Sequence, residues 1–132
     1  MGYHLVELKE IGCHRGKLMA FENGTNLNFT PQRTYIIYDN RDNIRRGYHA
    51  HINLKQLAVC VAGSCKFMVY DGISRDVFEL NSPSRGLYLE GLVWREMYDF
   101  SPDCVLMVLA SDNYDTTDYV RDYQKFLTMV GK

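Results

Sequence analysis

The sequence predicts an all-β sandwich or barrel with one short helix at its C-terminal end. Three observations carry that reading. Apolar runs recur about every ten residues between 33 and 111, separated by turn chemistry. Most of those runs are rich in β-branched and aromatic residues, and several alternate in polarity. After residue 115 the period changes: Tyr119, Tyr123, Phe126 and Leu127 recur at helical spacing.

The elements follow in order. "RTYIIYD" (33–39) is aromatic and β-branched. "KQLAVCVAG" (55–63) ends in glycine, and "CKFMVYDG" (65–72) follows Gly63 and Ser64, so the two read as a hairpin with a short turn. "RDVFELN" (75–81), "RGLYLEG" (85–91) and "VWREMYDF" (93–100) supply three more strands. "CVLMVLAS" (104–111) is almost wholly apolar, as expected of a strand covered on both faces. Asp71-Gly72, "NSPSRG" (81–86) and "SPD" (101–103) are the turns between them. Residues 116–129 are expected to form the helix, capped by Asp115 or Thr116. No repeat, linker or low-complexity stretch interrupts the chain, so 1–132 reads as one domain. That length can bury a core without disulfide or metal staples.

Composition narrows the function. Fifteen basic against sixteen acidic residues leave no charged face for nucleic acid. A few arginines can still build a local phosphate site. No apolar run approaches the ~18 residues of a membrane span, and "MGYHLVELKE" carries charge where a signal peptide is apolar. Of the four cysteines, Cys60, Cys65 and Cys104 lie in apolar runs, and none of the four forms a CxxC. They read as buried free thiols, which points to the cytoplasm.

The segment that carries chemistry is "RRGYHAHINLKQ" (45–56). In an extended chain His49 and His51 share one face, and Tyr48, Ala50 and Ile52 take the other. Two imidazoles can begin a metal site, but zinc takes three or four protein ligands and the iron oxygenases add a carboxylate. Downstream the chain offers Gln56, a weak neutral ligand, with Glu90 and Glu96 as carboxylates farther on. His4 and His14 lie far off in the N-terminal segment. Without metal, imidazole serves as an acid or base near neutrality. An enolate formed beside it needs positive charge or hydrogen-bond donors. Arg46 lies three residues before His49, and Arg33 and Tyr35 share a face on a neighbouring strand. Guanidinium forks also clamp phosphates. The set therefore reads as a base plus a phosphate clamp, suited to an enolisable phosphorylated or nucleotide-linked substrate.

"RRGYHAH" with Gln56 and Gly63 resembles the first cupin motif, in which HxH is followed by a ligand Glu and then a Gly. "LEGLVWREMY" resembles the second, with Gly91 at its glycine and Trp94 where the last ligand histidine stands. The resemblance implies a cupin, a double-stranded β-helix jelly-roll barrel, whose metal ligands are half replaced and whose histidines serve another use. A closer resemblance spans almost the whole chain. "RG" at 15–16, "RTYIIYD", "RRGYHAH", "GLYLEGLVWREMYDFSPDCVLMVLAS" and "YDTTDYVRDYQKFL" are similar to the sugar 3,4-ketoisomerases (FdtA/QdtA-like, WxcM-like cupins).

That resemblance implies a substrate, dTDP-4-keto-6-deoxyglucose, and transfer of its keto group from C4 to C3. The product leads toward 3-amino-3,6-dideoxy sugars of bacterial surface glycans. His49 is then the main base, matching the "RGxH" histidine of the dTDP-sugar 3,5-epimerases through Arg46-Gly47-Tyr48-His49. His51 assists at the oxygens or holds the tautomer. Tyr35 is a proton relay or a hydrogen-bond partner of the sugar. Arg46 stabilises the enediolate or the diphosphate, while Arg15, Gly16 and Arg33 serve the diphosphate. Gln56 stands at the lost ligand position. Trp94 packs either the sugar pocket or the core, and Glu96 either polarises a histidine or faces solvent. No cofactor is implied, because the ketone is itself the electron sink. The family's members are dimers, some with N-terminal strands exchanged; "YHLVELKEI" is the candidate strand and would carry Arg15 toward the partner's site. The competing readings are a 3,5-epimerase, a metal-dependent oxygenase and a non-catalytic sugar-binding cupin.

Overall fold

The computed structural model describes residues 2–132. Two antiparallel five-stranded sheets face each other. The first holds β1 (Gly2–Glu7), β9 (Arg85–Glu90), β6 (Lys55–Ala62), β11 (Val105–Ala110) and β4 (Arg33–Tyr38), in that order. The second holds β12 (Tyr119–Val120), β5 (Arg46–His51), β10 (Trp94–Tyr98), β7 (Cys65–Tyr70) and β8 (Arg75–Leu80). A separate hairpin, β2 (Ile11–Cys13) and β3 (Gly16–Leu18), stands apart from both sheets. From β4 to β7 the chain changes sheet at every connection, which is the jelly-roll arrangement expected of a cupin.

Side-chain alternation along each strand sorts residues to the inside or outside of the barrel. Inside lie Ala58 and Cys60 of β6, Phe67 and Val69 of β7, Leu87 and Leu89 of β9, Met97 of β10, and Leu106 and Val108 of β11. The outer face of the first sheet packs Leu57, Val59, Tyr88 and Leu109 under the 19–29 segment through Leu27 and Phe29. The outer face of the second sheet packs Ala50, Met68 and Trp94 under Val120 and Phe126 of the C-terminal region. Cys60, Cys65 and Cys104 are buried free thiols, as the apolar runs around them predict, and Cys13 is exposed.

Two expectations are corrected. Residues 55–63 and 65–72 do not form a hairpin. β6 pairs with β9 and β11, while β7 pairs with β8 and β10. Gly63-Ser64 is a corner between the sheets: a Cβ on Gly63 would lie 2.3 Å from Ser101 Oγ, and its φ is +65°. The helix is also shorter than 116–129. Asp115 caps only a 3-10 turn, Thr116–Asp118, by accepting from the Thr117 amide at 3.0 Å. Tyr119 and Val120 then pair with His51 and Ala50 as β12. The true helix, α1 (Tyr123–Met129), starts from Asp122, whose side chain accepts from the amides of Gln124 and Lys125. Phe126 is its one fully buried residue and meets Trp94 and Tyr70. The aromatic spacing is shared by two structures: Tyr123 and Phe126 cover the second sheet, whereas Tyr119 turns toward the histidines.

Candidate active site

The site occupies one end of the barrel interior. β5 brings it His49 and His51, β4 brings Arg33 and Tyr35, β6 brings Gln56, and β10 brings Arg95. The local backbone of β5 depends on glycine. Gly47 has φ +97°, and a Cβ there would lie 2.7 Å from the Arg95 carbonyl oxygen. Tyr48 follows with φ +55°. The pairing register of β5 with β10 shifts here, a β-bulge that re-aims the residues after it. Past the bulge, Ala50 packs outward and both imidazoles face inward.

The two rings stand edge to face, their centroids 4.9 Å apart. Each is held through Nδ1. His49 Nδ1 lies 3.0 Å from the Gly47 carbonyl oxygen, so Nδ1 carries the proton and donates. His51 Nδ1 lies 3.0 Å from Asp118 Oδ2, and Asp118 Oδ1 accepts from the Asn53 amide. Both Nε2 atoms are thereby left as lone pairs. That of His51 is buried and has no partner among the described residues. Tyr119 touches both rings, at 5.0 and 4.3 Å between centroids.

Arg95 lies beneath them, almost wholly buried. Its Nε donates to the Val93 carbonyl at 3.1 Å and its Nη1 to Gln56 Oε1. Gln56 Nε2 in turn donates to the Tyr35 hydroxyl at 3.0 Å. Burial lowers the Arg95 pKa to about 10, so it keeps its charge at neutral pH. Burial first, and Arg95 second, lower both histidines: His49 falls to about 4, and His51 also falls well below its ordinary range. Burial likewise raises the Tyr35 phenol. At neutral pH the site therefore holds two neutral imidazoles over a fixed cation.

A cupin metal would need the Gln56 and second-motif positions as ligands. The Gln56 oxygen is committed to Arg95, Trp94 at the second motif's ligand position faces outward, and the inward residue beside it is the Arg95 guanidinium. The two histidines alone match a metal site; the rest of the donor set does not fit one.

Two adjoining cavities open over the histidines, sharing Arg33, Tyr114 and Tyr119. One, of about 280 Å³, is lined by Tyr35, Arg46, His49 and Arg121 among others. The other, of about 540 Å³, reaches His51, Asn53, Tyr114 and Asp118. Arg33, Arg46, Arg95 and Arg121 make no ion pair among the described residues, while Arg41, Arg45 and Arg85 all do. Unpaired guanidiniums around a cavity suit a diphosphate. Arg33 stacks over Tyr35 and Tyr114, and Arg121 over Tyr119.

Of the residues expected at the site, the fold gathers His49, His51, Tyr35, Arg33, Arg46 and Gln56. It does not gather the others. Trp94 alternates to the outer face of β10, is buried against Tyr123 and Phe126, and donates from Nε1 to Glu96 Oε2 at 2.9 Å. Glu96 on the same face takes Arg45 at 2.7 Å. Glu90 accepts from the Tyr88 hydroxyl on the outer face of the first sheet. Arg15 and Gly16 lie in the exposed β2–β3 hairpin beside a surface groove of its own residues. Sequence reasoning missed Arg95, Asp118, Tyr119 and Arg121. Alternation alone pointed to Arg95, since it takes the opposite face of the strand from Trp94. Asp118, Tyr119 and Arg121 were hidden because 116–129 reads as helix.

Fold and site together define a cupin with two paired histidines in its interior, set over a buried arginine. The chain belongs to the FdtA family (WxcM-like, C-terminal), whose family model matches residues 1–131. It is 45% identical over 128 residues to the TDP-4-oxo-6-deoxy-alpha-D-glucose-3,4-oxoisomerase of Aneurinibacillus thermoaerophilus, covering 97% of this chain and 92% of that protein. The crystal structure of QdtA, a sugar 3,4-ketoisomerase from Thermoanaerobacterium thermosaccharolyticum in complex with TDP, superposes with a TM-score of 0.94 at 40% identity, covering 98% of this chain and 94% of that one. The TDP-quinovose 3,4-ketoisomerase WlaRB of Campylobacter jejuni superposes with a TM-score of 0.91 at 41% identity, covering 96% and 97%.

Proposed function

We propose that this chain is a nucleotide-sugar 3,4-ketoisomerase acting on TDP-4-keto-6-deoxyglucose, and that His49 and His51 divide its proton transfers between carbon and oxygen. The observation that carries the division is the pair of neutral imidazoles, both tied at Nδ1, with both Nε2 lone pairs free.

The isomerisation moves two protons and no external electrons. His49 Nε2 takes the proton from C3, and the C3–H electron pair forms the C3=C4 double bond as O4 becomes an enediolate oxygen. Arg95 and the mouth arginines offset that charge. The C3 hydroxyl then loses its proton to His51, and its O–H electron pair forms the C3 ketone while the C3=C4 pair moves to C4. His49 delivers its proton to C4, and O4 takes the proton held by His51. Both imidazoles end neutral, as they began. The ketone is the electron sink throughout. Asp118 stabilises His51 while it carries the extra proton. Tyr35, held by Gln56, offers its hydroxyl to the sugar.

Arg33, Arg46 and Arg121 bind the diphosphate. Arg15 lies outside its own chain's cavity, which supports a homodimer in which the hairpin serves the neighbouring site. The exposed Ile11 and Leu18 on that hairpin support the same reading. We further assign the chain to the cytoplasm and to the supply of 3-amino-3,6-dideoxy sugars for surface glycans, on the strength of the family. Among the described residues no helix is long and apolar enough to cross a membrane.

The test is incubation with TDP-4-keto-6-deoxyglucose followed by proton NMR. A TDP-3-keto-6-deoxyhexose is the expected product. Exchange at C5 with the ketone still at C4 would instead mean epimerisation, and an unchanged sugar would mean binding without catalysis.

A further inference from the structure

The barrel holds a second cluster of reactive side chains that the isomerisation does not use. The Sγ atoms of Cys60, Cys65 and Cys104 all lie within 4.8 Å of one another, and all three residues are buried. Cys60 Sγ is 3.4 Å from Cys104 Sγ and donates to the Ala62 carbonyl at 3.2 Å. Three sulfurs around a metal at about 2.3 Å stand about 4 Å apart in a trigonal plane, so little movement separates this arrangement from a coordinated one.

The three thiols come from different parts of the fold. Cys60 is near the end of β6, Cys65 opens β7, and Cys104 immediately precedes β11. β6 and β11 belong to one sheet and β7 to the other. A bound ion would therefore tie the two sheets together at this end of the barrel. The turns that present the thiols are already locked. The Ser101 amide donates to the Ser64 carbonyl at 2.9 Å, and the Ser64 amide to Ser101 Oγ at 2.9 Å. The Cys104 amide donates to the Ser101 carbonyl at 3.0 Å. Preorganised backbone of this kind is what a ligand set requires.

We propose that Cys60, Cys65 and Cys104 form a three-sulfur site for a soft monovalent metal ion, Cu(I) being the type. The ligand chemistry selects it. The cluster contains neither imidazole nor carboxylate, and all-sulfur donor sets favour soft ions. Its surroundings are apolar, with Phe67, Leu80, Phe100 and Leu106 in the same core cluster, and this suits an ion satisfied by three ligands. One thiol releases its proton to solvent as the metal–sulfur bonds form and the other two coordinate as thiols, so the loaded site carries no net charge, as its apolar surroundings require. Gln56 of the isomerase site lies four residues along β6, about 13 Å away, so the ion acts on the stability of the barrel rather than on turnover.

The test uses the full-length Cys13→Ser chain, reduced and anaerobic, so that the exposed thiol does not compete. Cu(I) is supplied as a coloured bis-chelate. One equivalent per chain should be captured from the chelate, X-ray absorption should show three sulfurs and no nitrogen or oxygen, and Tm should rise. Cys65→Ala and Cys104→Ala in that background should each lose the capture, while keeping isomerase turnover as evidence of an intact barrel. No capture, capture unchanged in both alanine variants, nitrogen or oxygen in the coordination sphere, or retention of Zn(II) in preference to Cu(I) would each overturn the assignment. The absorption spectrum of the Cys13→Ser chain decides the matter even where an alanine variant fails to fold.

Discussion

Asp118→Asn separates the positioning of His51 from its presence. The carboxylate accepts the His51 Nδ1 proton at 3.0 Å, and the imidazole is only 1% exposed, so water cannot replace the bond. Asparagine keeps the shape but has one oxygen, which can accept from His51 Nδ1 or from the Asn53 amide and not from both. With the oxygen turned to His51, what that bond loses is the charge. A hydrogen bond to a charged group contributes about 1.5–3 kcal/mol and a neutral one about 0.5–1.5. The difference, about 1–1.5 kcal/mol, bears mainly on the state in which His51 carries an extra proton. It converts to a fall in kcat of about tenfold, and more where the amide oxygen stays on the Asn53 amide and the NH2 group imposes the other tautomer on His51. KM should change little, because Asp118 is not assigned to the substrate. The assay is steady-state conversion of TDP-4-keto-6-deoxyglucose, with circular dichroism to confirm the fold. A kcat within twofold of the parent, or a loss confined to KM, would refute the assignment of Asp118 as the group that holds His51.

Four further outcomes follow from the same geometry. The acid limb of kcat/KM should fall near pH 4, the value to which burial and Arg95 lower His49, rather than near its ordinary 6.5. Because the folded pKa is the lower one, the unfolded chain binds the proton first: the stability due to a neutral His49 is complete above about pH 6.5 and is lost as pH falls toward 4, which urea midpoints across that range will show. Gly47→Ala should cost about 2–4 kcal/mol, from left-handed strain plus a Cβ 2.7 Å from the Arg95 carbonyl, and should abolish turnover by moving His49; chemical denaturation and activity read both. Phe126→Ala should cost about 3–5 kcal/mol by emptying the space against Trp94 and Tyr70, lowering the urea midpoint.

Much of the barrel was legible because β-strands announce themselves by period. Seven of the eight strands from β4 to β11 were located, since alternation and turn residues are local signals; β5 was legible only through the shared face its two histidines have in an extended chain. Pairing was not legible: Gly63-Ser64 looks like a hairpin turn, and only the close approach of Ser101 to Gly63 shows it to be a corner. The histidine pair was legible from its spacing, but the glycine bulge that aims it is set by the partner strand β10. Trp94 and Arg95 show the limit most clearly. Aligning Trp94 to a motif position put an outward residue at the site, while the alternation of β10 turned its neighbour inward. Tyr119 and Arg121 were obscured by an aromatic spacing that serves a strand edge and a helix in succession.

The central claim is that His49 moves the carbon proton. The direct measurement is conversion in D2O, with proton and deuterium NMR at C3 and C4 of the sugar, for the parent chain, His49→Asn and His51→Asn. The account predicts no exchange at C3 in His49→Asn with the substrate still bound, and slowed but detectable C3 exchange in His51→Asn, where the carbon base remains. C3 exchange at the parental rate in His49→Asn would contradict it and place the carbon base elsewhere.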